Sequence, residues 1–469
     1  MQFRTERDPL GEYDVPADAY YGIQTARAVE NFRISDLRAP ADLIVATVLI
    51  KRAAAEANQA LERLDARVAR AIIQACDEIR SGALRDQFVV DVYQAGAGTS
   101  HNMNTNEVIA NRAGEILGGS RGDYLLVHPN DHVNMGQSTN DVFPTATRLA
   151  LLIGMRSLVD AGRGLASALR EKADAFAHVL KVGRTHLQDA VPMTLGQEFG
   201  GYAACIERGV DDVEQAAEQL KELNLGATAV GTGLNAGDDY ARLAVSNLAR
   251  ALAVNLVVAA NRFRVTQSMG DVVAYSGAMR RLAVELSKVA SDLRLLSSGP
   301  RTALAEIVLP AVQPGSSIMP GKVNPSIPEM VNQVCYQVFG CDATVCAAGE
   351  GGQLELNVMM PVIAWNALHA STILANAMSA LEVLCVEGIQ ADERRCRELL
   401  ERSTAVATAL SPYLGYGKTA EIAKESVRTG KPIREIVLDR GLIAPAQLDE
   451  ILSAEAMTEP GVPGKEKAK

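Results

Sequence analysis

Between Gly315 and Pro325 the chain reads Gly315-Ser316-Ser317-Ile318-Met319-Pro320-Gly321-Lys322-Val323-Asn324-Pro325, so one short segment carries two adjacent hydroxyls, a cation and an amide. Pro314, Pro320, Pro325 and Pro328 oppose a continuous helix, while Gly315 and Gly321 permit backbone angles and close approaches that other residues resist. A polar catalytic loop between helical flanks is expected, with Ile318 and Met319 buried in its middle. The alternative is an ordinary surface turn.

Two further segments gather uncharged hydrogen-bond donors at glycine-rich turns or helix starts. Thr99 and Ser100 follow Gly96-Ala97-Gly98 and lead into a helix expected over Asn106 to Leu117; Ser138-Thr139-Asn140 precede a helical run expected from Val142. Free N–H groups and short hydroxyls at helix N-termini make anion sites. Simple N-capping would use the same residues. Together with Lys322 these groups could hold a dicarboxylate, and they suit one demanding reaction. Removing a proton next to a carboxylate places two negative charges on one carboxylate group, so many donors must converge there.

The loop resembles the signature of the aspartase/fumarase superfamily, and three other motifs match the same family in order. These are Gly96-Ala97-Gly98-Thr99-Ser100-His101-Asn102-Met103-Asn104, His132-Val133-Asn134-Met135-Gly136-Gln137-Ser138-Thr139-Asn140-Asp141 and Gly183-Arg184-Thr185-His186-Leu187-Gln188-Asp189-Ala190. The resemblance runs from Pro16-Ala17-Asp18-Ala19-Tyr20-Tyr21-Gly22 to Arg434-Glu435-Ile436-Val437-Leu438. It implies elimination across a carbon–carbon bond through an aci-carboxylate, with fumarate as product. Carried over by motif position, Ser316 is the general base, and Ser317, Thr99, Ser138 and Thr139 bind the β-carboxylate. Lys322, Asn324 and Thr185 hold the α-carboxylate; Asn140 and His186 contact the leaving amino group.

Serine is a poor base at neutral pH, so Ser316 needs an electropositive niche, which Lys322 and the loop's N–H groups could supply. The alternative is that Ser316 only donates a hydrogen bond. Histidine as a residue type invites an acid–base role, yet at His186 an already protonated leaving group needs only binding. His101, His128, His132, His178 and His369 match no family role and are expected to be structural.

Within the superfamily, Gly96-Ala97-Gly98-Thr99-Ser100 resembles the aspartase branch, where fumarases commonly show Gly-Ser-Gly-Thr-Gln. Leu356-Asn357-Val358-Met359-Met360-Pro361-Val362-Ile363 and Pro328-Glu329-Met330-Val331-Asn332-Gln333-Val334 point the same way. His186 departs from this, standing where some aspartases carry Gln and fumarases His. The implied activity is reversible loss of ammonia from L-aspartate, the alternatives being a fumarase acting on L-malate or a non-catalytic structural protein on this fold. The family's homotetramer, in which three subunits meet at each site, is implied as well.

Long helices must carry these motifs. Tyr275, Met279, Leu282, Leu286, Val289, Leu293 and Leu296 alternate steps of four and three, forming one apolar stripe that stops at Ser298-Gly299-Pro300. Ile206, Val210, Val213, Ala217 and Leu220 repeat the pattern, as do Leu151, Met155, Leu158, Leu165, Leu169 and Phe176. Leu356 to Leu381 contains no Asp, Glu, Lys or Arg, but its dispersed Asn, His, Ser and Thr suit the centre of a bundle better than lipid. The expectation is a mainly α, three-domain fold of the aspartase/fumarase type, whose central long-helix bundle assembles with those of other subunits. Boundaries are expected near 140 and 396: an N-terminal domain 1–140, a central bundle 141–396 and a small helical domain 397–469 with a disordered tail from Gly461.

The 469 residues, 48% of them hydrophobic, can bury a large core. A net charge of -10 with Lys and Arg dispersed along the chain gives no footprint for nucleic acid. Seven cysteines without C-x-x-C spacing argue against a disulfide framework and a zinc site, and read as buried free thiols. The charged start Met1-Gln2-Phe3-Arg4-Thr5-Glu6-Arg7-Asp8 has no apolar stretch of a secretory signal, so a cytoplasmic location is expected. With no Gly-x-Gly-x-x-Gly after a strand and no P-loop, no organic cofactor is expected, and no metal.

Overall fold

The computed structural model describes residues 2–465, so the last four residues of the tail expected to be disordered lie outside the described residues. In chain order the helices are α1 (Ile23–Asn31), α2 (Ala41–Ala60), α3 (Ala66–Arg80), α4 (Thr99–Ile116), α5 (Thr139–Ala175), α6 (Leu195–Ala217), α7 (Asp238–Leu252), α8 (Arg262–Gln267), α9 (Gly270–Leu296), α10 (Ser326–Glu350), α11 (Met360–Leu384) and α12 (Glu393–Arg402), followed by five short helices, α13 to α17, between Ser411 and Thr458. Strands are few. Among the described residues they form four two-stranded sheets: β1 (Phe3–Asp8) with β2 (Gly11–Pro16), β3 (Leu180–Thr185) with β4 (Gln188–Thr194), the parallel pair β5 (Glu222–Leu223) and β6 (Val257–Val258), and β7 (Ile307–Val308) with β8 (Gln390–Ala391). The fold is mainly α.

Two compact units result: Met1–Asp160 with Gly209–Ala283 and Cys335–Ala375, and Ala161–Arg208 with Val284–Val334 and Asn376–Lys469. In the first, α2, α3 and α4 enclose a core of Ile44, Val48, Ile72, Ile79, Val108 and Ile109. There α9 is tied to α5 by the ion pair Arg148–Asp271 at 2.6 Å and to α10 by Ser276 Oγ donating to Asp342 Oδ1 at 2.8 Å. Gly209 brings α6 against α9, since a Cβ would stand 2.7 Å from Leu282 Cδ1. In the second unit Tyr202 of α6 donates to Asp292 of α9 at 2.9 Å, and Asn332 of α10 donates to Ser287 O and Ser291 Oγ of α9. Its C-terminal helices close over Ile422, Ile433, Ile436, Val437, Leu448 and Ile451.

Period decided burial. All seven stripe residues from Tyr275 to Leu296 are buried in α9, and Ile206, Val210, Val213, Ala217 and Leu220 are buried as well. Of the third stripe Met155 alone is half-buried. By length and composition α5 and Met360–Gly388 could each cross a membrane; 67% and 50% of their apolar windows are buried within the protein. The cysteines depart from expectation, because Cys205 and Cys346 are exposed while the other five are buried free thiols.

Both expected helix starts lie too late in the sequence. α4 begins at Thr99 and α5 at Thr139, because the glycine turn and Ser138 supply N-terminal boundaries where no apolar period yet exists. Pro328 falls inside the first turn of α10, where its missing N–H has no intrahelical partner to lose.

Candidate active site

The candidate residues form three local groups, the first at the starts of α4 and α5 in the first unit. Gly96, Ala97 and Gly98 have φ of +73°, +57° and +96°, so the chain turns sharply into α4. Only glycine fits at 98: a Cβ there would stand 2.2 Å from the Phe143 ring of α5. This contact brings the two helix starts together. Thr99 Oγ1 is 3.2 Å from Thr139 Oγ1, and Asn102 Nδ2 donates to the same Thr139 oxygen at 3.1 Å.

Ser138 and Asp141 cap α5 reciprocally. The Asn140 N–H donates to Ser138 Oγ at 3.2 Å, and the Ser138 N–H to Asp141 Oδ1 at 2.9 Å. Asp141 Oδ2 also accepts from the N–H groups of Gly226 and Thr228, at 2.9 and 3.0 Å. Asn140 Nδ2 donates to Ala229 O at 2.8 Å, so this loop is bound to the helix start twice.

Beneath them lies Lys51 of α2, whose side chain has no exposure. Its Nζ donates to Asn134 Oδ1 and Gln137 Oε1, both at 2.9 Å, and Asn102 Nδ2 is 3.3 Å from Asn134 Oδ1, which links the buried ammonium to Thr139. Burial pushes Lys51 down to about 7 and Asp141 up to about 7, and each charge partly restores the other. Sequence reasoning assigned neither residue a role. The signal was present for Lys51, a cation following the run Leu43 to Ile50, apolar but for Thr47.

The second group sits in the second unit, in the turn between β3 and β4. His186 and Leu187 have φ of +54° and +60°, both in the left-handed region that a two-residue hairpin turn of this kind demands. Asn-Gly is the usual occupant, so His-Leu is held here against its own preference. Thr185, His186 and Leu187 are exposed.

The third group, also in the second unit, is the serine loop. Its neck closes where the Gly315 N–H donates to Lys322 O at 2.7 Å and Asn324 Nδ2 donates to Gly315 O at 2.6 Å. A Cβ at Gly315 would meet Lys322 O at 2.5 Å, so the neck requires glycine. Within it, Ser316 Oγ accepts from the N–H groups of Ile318 and Met319 at 3.1 and 2.9 Å. Two fixed donors therefore point at the oxygen that a base must ionise. Ser317 and Lys322 are exposed. Ile318 and Met319 are not buried as expected: the loop projects from its neck and leaves them 83% and 50% exposed.

Among the described residues no cluster of three or more His, Cys, Asp or Glu side chains is placed to hold a metal ion. His101 lies next to the first group but is wholly buried, its ring edge-on to Phe143. Thr47 Oγ1 spends its proton on Leu43 O, so the His101 Nε2, 2.9 Å away, is the donor to Thr47. His128 Nδ1 accepts from the N–H groups of Asn130 and Asp131, a capping role.

The family model described as "Lyase" matches residues 11–340, and that described as "Fumarase C C-terminus" matches residues 406–459. The aspartate ammonia-lyase of Bacillus subtilis (strain 168) is 48% identical over 465 residues, covering 99% of this chain and 98% of that one. The aspartate ammonia-lyase of Pseudomonas fluorescens is 51% identical over 461 residues, covering 98% and 96%. Among solved structures, the fumarate lyase:delta crystallin from Brucella melitensis bound to cobalt superposes with a TM-score of 0.95 at 51% identity, covering 98% of this chain and all of that one. The chain belongs to the aspartase/fumarase superfamily of lyases.

Burial, with the Lys51 charge adding to it, pushes His101 down to about 4. Its ordinary value is about 6.5, so the unfolded chain binds the proton more readily, and the stability that neutral His101 contributes above pH 6.5 is lost as pH falls toward 4. The loss should reach about 3 kcal/mol per chain. Melting temperatures measured from pH 8 to 4 should fall more steeply for the parent than for His101→Gln; parallel curves would exclude His101 as the cause.

Proposed function

We propose that this chain is an aspartate ammonia-lyase, converting L-aspartate reversibly to fumarate and ammonia. The substrate assignment is supported by two aspartate ammonia-lyases that match it end to end. The observation that carries the chemistry is the pair of N–H groups aimed at Ser316 Oγ.

The Ser316 alkoxide takes a proton from Cβ, and the electron pair of that C–H bond passes into the β-carboxylate as an aci-carboxylate. Returning, the pair forms the C=C bond while the C–N bond breaks and its electrons leave with nitrogen as ammonia. Charge balances: aspartate loses one proton to Ser316 and becomes the fumarate dianion and neutral ammonia. Ser317, Thr99, Ser138 and Thr139 bind the β-carboxylate, where charge accumulates. Lys322, Asn324 and Thr185 hold the α-carboxylate, and Asn140 and His186 contact the amino group. No electrons are transferred to an acceptor, so the reaction calls for no organic cofactor.

The domain organisation we infer is 1–140, 141–396 and 397–469, in a cytoplasmic homotetramer that engages neither nucleic acid nor membrane. Three subunits contribute to each site. Support for sharing comes from the spacing of the groups along the chain, since long helices separate Thr99, Ser138 and Thr185, and Ser316 lies in a loop after another.

Purified protein offered L-aspartate and L-malate separately should release fumarate, followed by ultraviolet absorbance, far faster from L-aspartate. Equal or reversed rates would move the assignment to a fumarase. Ser316→Ala should lower turnover roughly 10³-fold or more with folding intact, since acid–base groups contribute about 10² to 10⁴. A variant within a factor of about ten of the parent would leave Ser316 as a hydrogen-bond donor only. For sharing, a chain with Thr185→Val and His186→Ala and a second with Ser316→Ala, each inactive alone, should regain activity when unfolded, mixed and refolded together. Verified mixed tetramers as inactive as both parents would place each site within one chain.

A further inference from the structure

A buried ion cluster underlies the hairpin that carries Thr185 and His186. Lys181 Nζ donates to Glu198 Oε2 at 2.6 Å and lies 3.1 Å from Glu306 Oε2, while Arg184 Nη1 reaches both oxygens of Glu306 at 3.0 Å. The Glu306 side chain has no solvent exposure, Lys181 has 2% and Arg184 15%. Charges so far from water persist only where partners fix them. Glu306 is fixed on both sides of its backbone, its N–H donating to Leu296 O and its carbonyl accepting from the Asp392 N–H, each at 2.9 Å.

The strand shows what this anchor controls. Side chains on a regular strand alternate between faces, so residues 181 and 184 of β3 should point apart. They meet the same carboxylate where the register of β3 against β4 shifts between Val182 and Arg184: Gly183 alone faces Ala190 and Val191, so β4 carries a bulge that increases the local twist just before Arg184. Gly183 permits the bulge, since a Cβ there would stand 2.8 Å from Val191 O. Thr185 follows at once, paired with Gln188, and then the left-handed residues His186 and Leu187. A bulge re-aims the side chains beyond it. Here those side chains belong to the candidate site.

We propose that the Arg184–Glu306 ion pair is a positioning device for the substrate-binding turn, fixing β3 opposite the bulge of β4 and through it the directions of Thr185 and His186. The inference rests on the reading of that turn as a substrate contact. Neither Arg184 nor Glu306 touches substrate in this scheme. Their effect must therefore pass through the turn, and a purely structural ion pair would not behave that way.

A double-mutant cycle separates the two. Arg184→Met removes the charge and keeps the stem, and Glu306→Gln keeps the shape of its partner; Arg184→Lys serves as the mild variant should either fail to fold. Each is placed in the parent and in a His186→Ala background, and kcat and KM for L-aspartate are measured beside melting temperature and oligomer mass. Arg184→Met should lower kcat/KM roughly 10- to 100-fold in the parent, with KM rising more than kcat falls, and by a clearly smaller factor, about 3- to 5-fold, in the His186→Ala background, where only Thr185 is left to misplace. Glu306→Gln and Arg184→Lys should show smaller losses with the same background dependence. Equal losses in both backgrounds, or no loss in the parent, overturn the proposal. A His186→Ala enzyme as active as the parent would instead sink the reading of the turn as a substrate contact, and with it the function the ion pair serves.

Discussion

The buried carboxylate of Asp141 is the constraint on which the helix-start group depends. It has no exposure, and its two oxygens accept three backbone N–H groups, from Ser138, Gly226 and Thr228. Burial alone favours the protonated acid. Every neighbour in hydrogen-bond contact is a donor, however, and an added proton would find no acceptor among them, so the geometry suits the anion. That anion starts α5, holds the 226–228 loop against it and balances Lys51 nearby. Removing it would release the N–H of Ser138 and leave a buried ammonium with neutral partners only.

Much of this was legible in the sequence, for reasons that differ by element. The stripe from Tyr275 to Leu296 reads directly because burial on one face of a helix imposes its period on residue type. The serine loop reads because proline and glycine exclude regular structure whatever surrounds them. The starts of α4 and α5 were read late, since His101, Asn102 and Asn104 in one and Thr139 and Asp141 in the other are polar side chains on buried helical positions, where periodicity expects apolar ones. Tertiary hydrogen bonds satisfy those groups. Arg184 and Glu306 could not be paired at all, for 122 positions separate them and the register shift beside Arg184 leaves no mark beyond one glycine. Ile318 and Met319 misled because their type suggests burial while the closed neck of the loop pushes them outward.

Long-range electrostatics does not help this chain gather a dianion. The net charge is -10, and at physiological ionic strength fields fade over about 8 Å, so attraction must come from groups in contact with the ligand. Most of the candidate groups are uncharged donors. Such donors are weak individually and depend on being aimed in advance, because reorienting them during the reaction would consume the stabilisation they give. Placement, and not charge, carries the burden.

That requirement accounts for a shared pattern beneath the three groups. The helix starts rest on the Asp141 cap and on the contact of Gly98 with Phe143; the Thr185–His186 turn adjoins a bulge held by buried ions; the serine loop closes through Gly315 and Asn324. In each, a glycine permits an approach that any Cβ would block, and a polar contact fixes it. The reactive side chains then stand at the exposed ends of fixed supports. Thr185, His186, Ser317 and Lys322 are open to solvent while Asp141, Lys51, Lys181 and Glu306 are buried. Rigidity and access are thus assigned to different residues of the same short segments, which lets donors be preorganised without closing the site to its substrate.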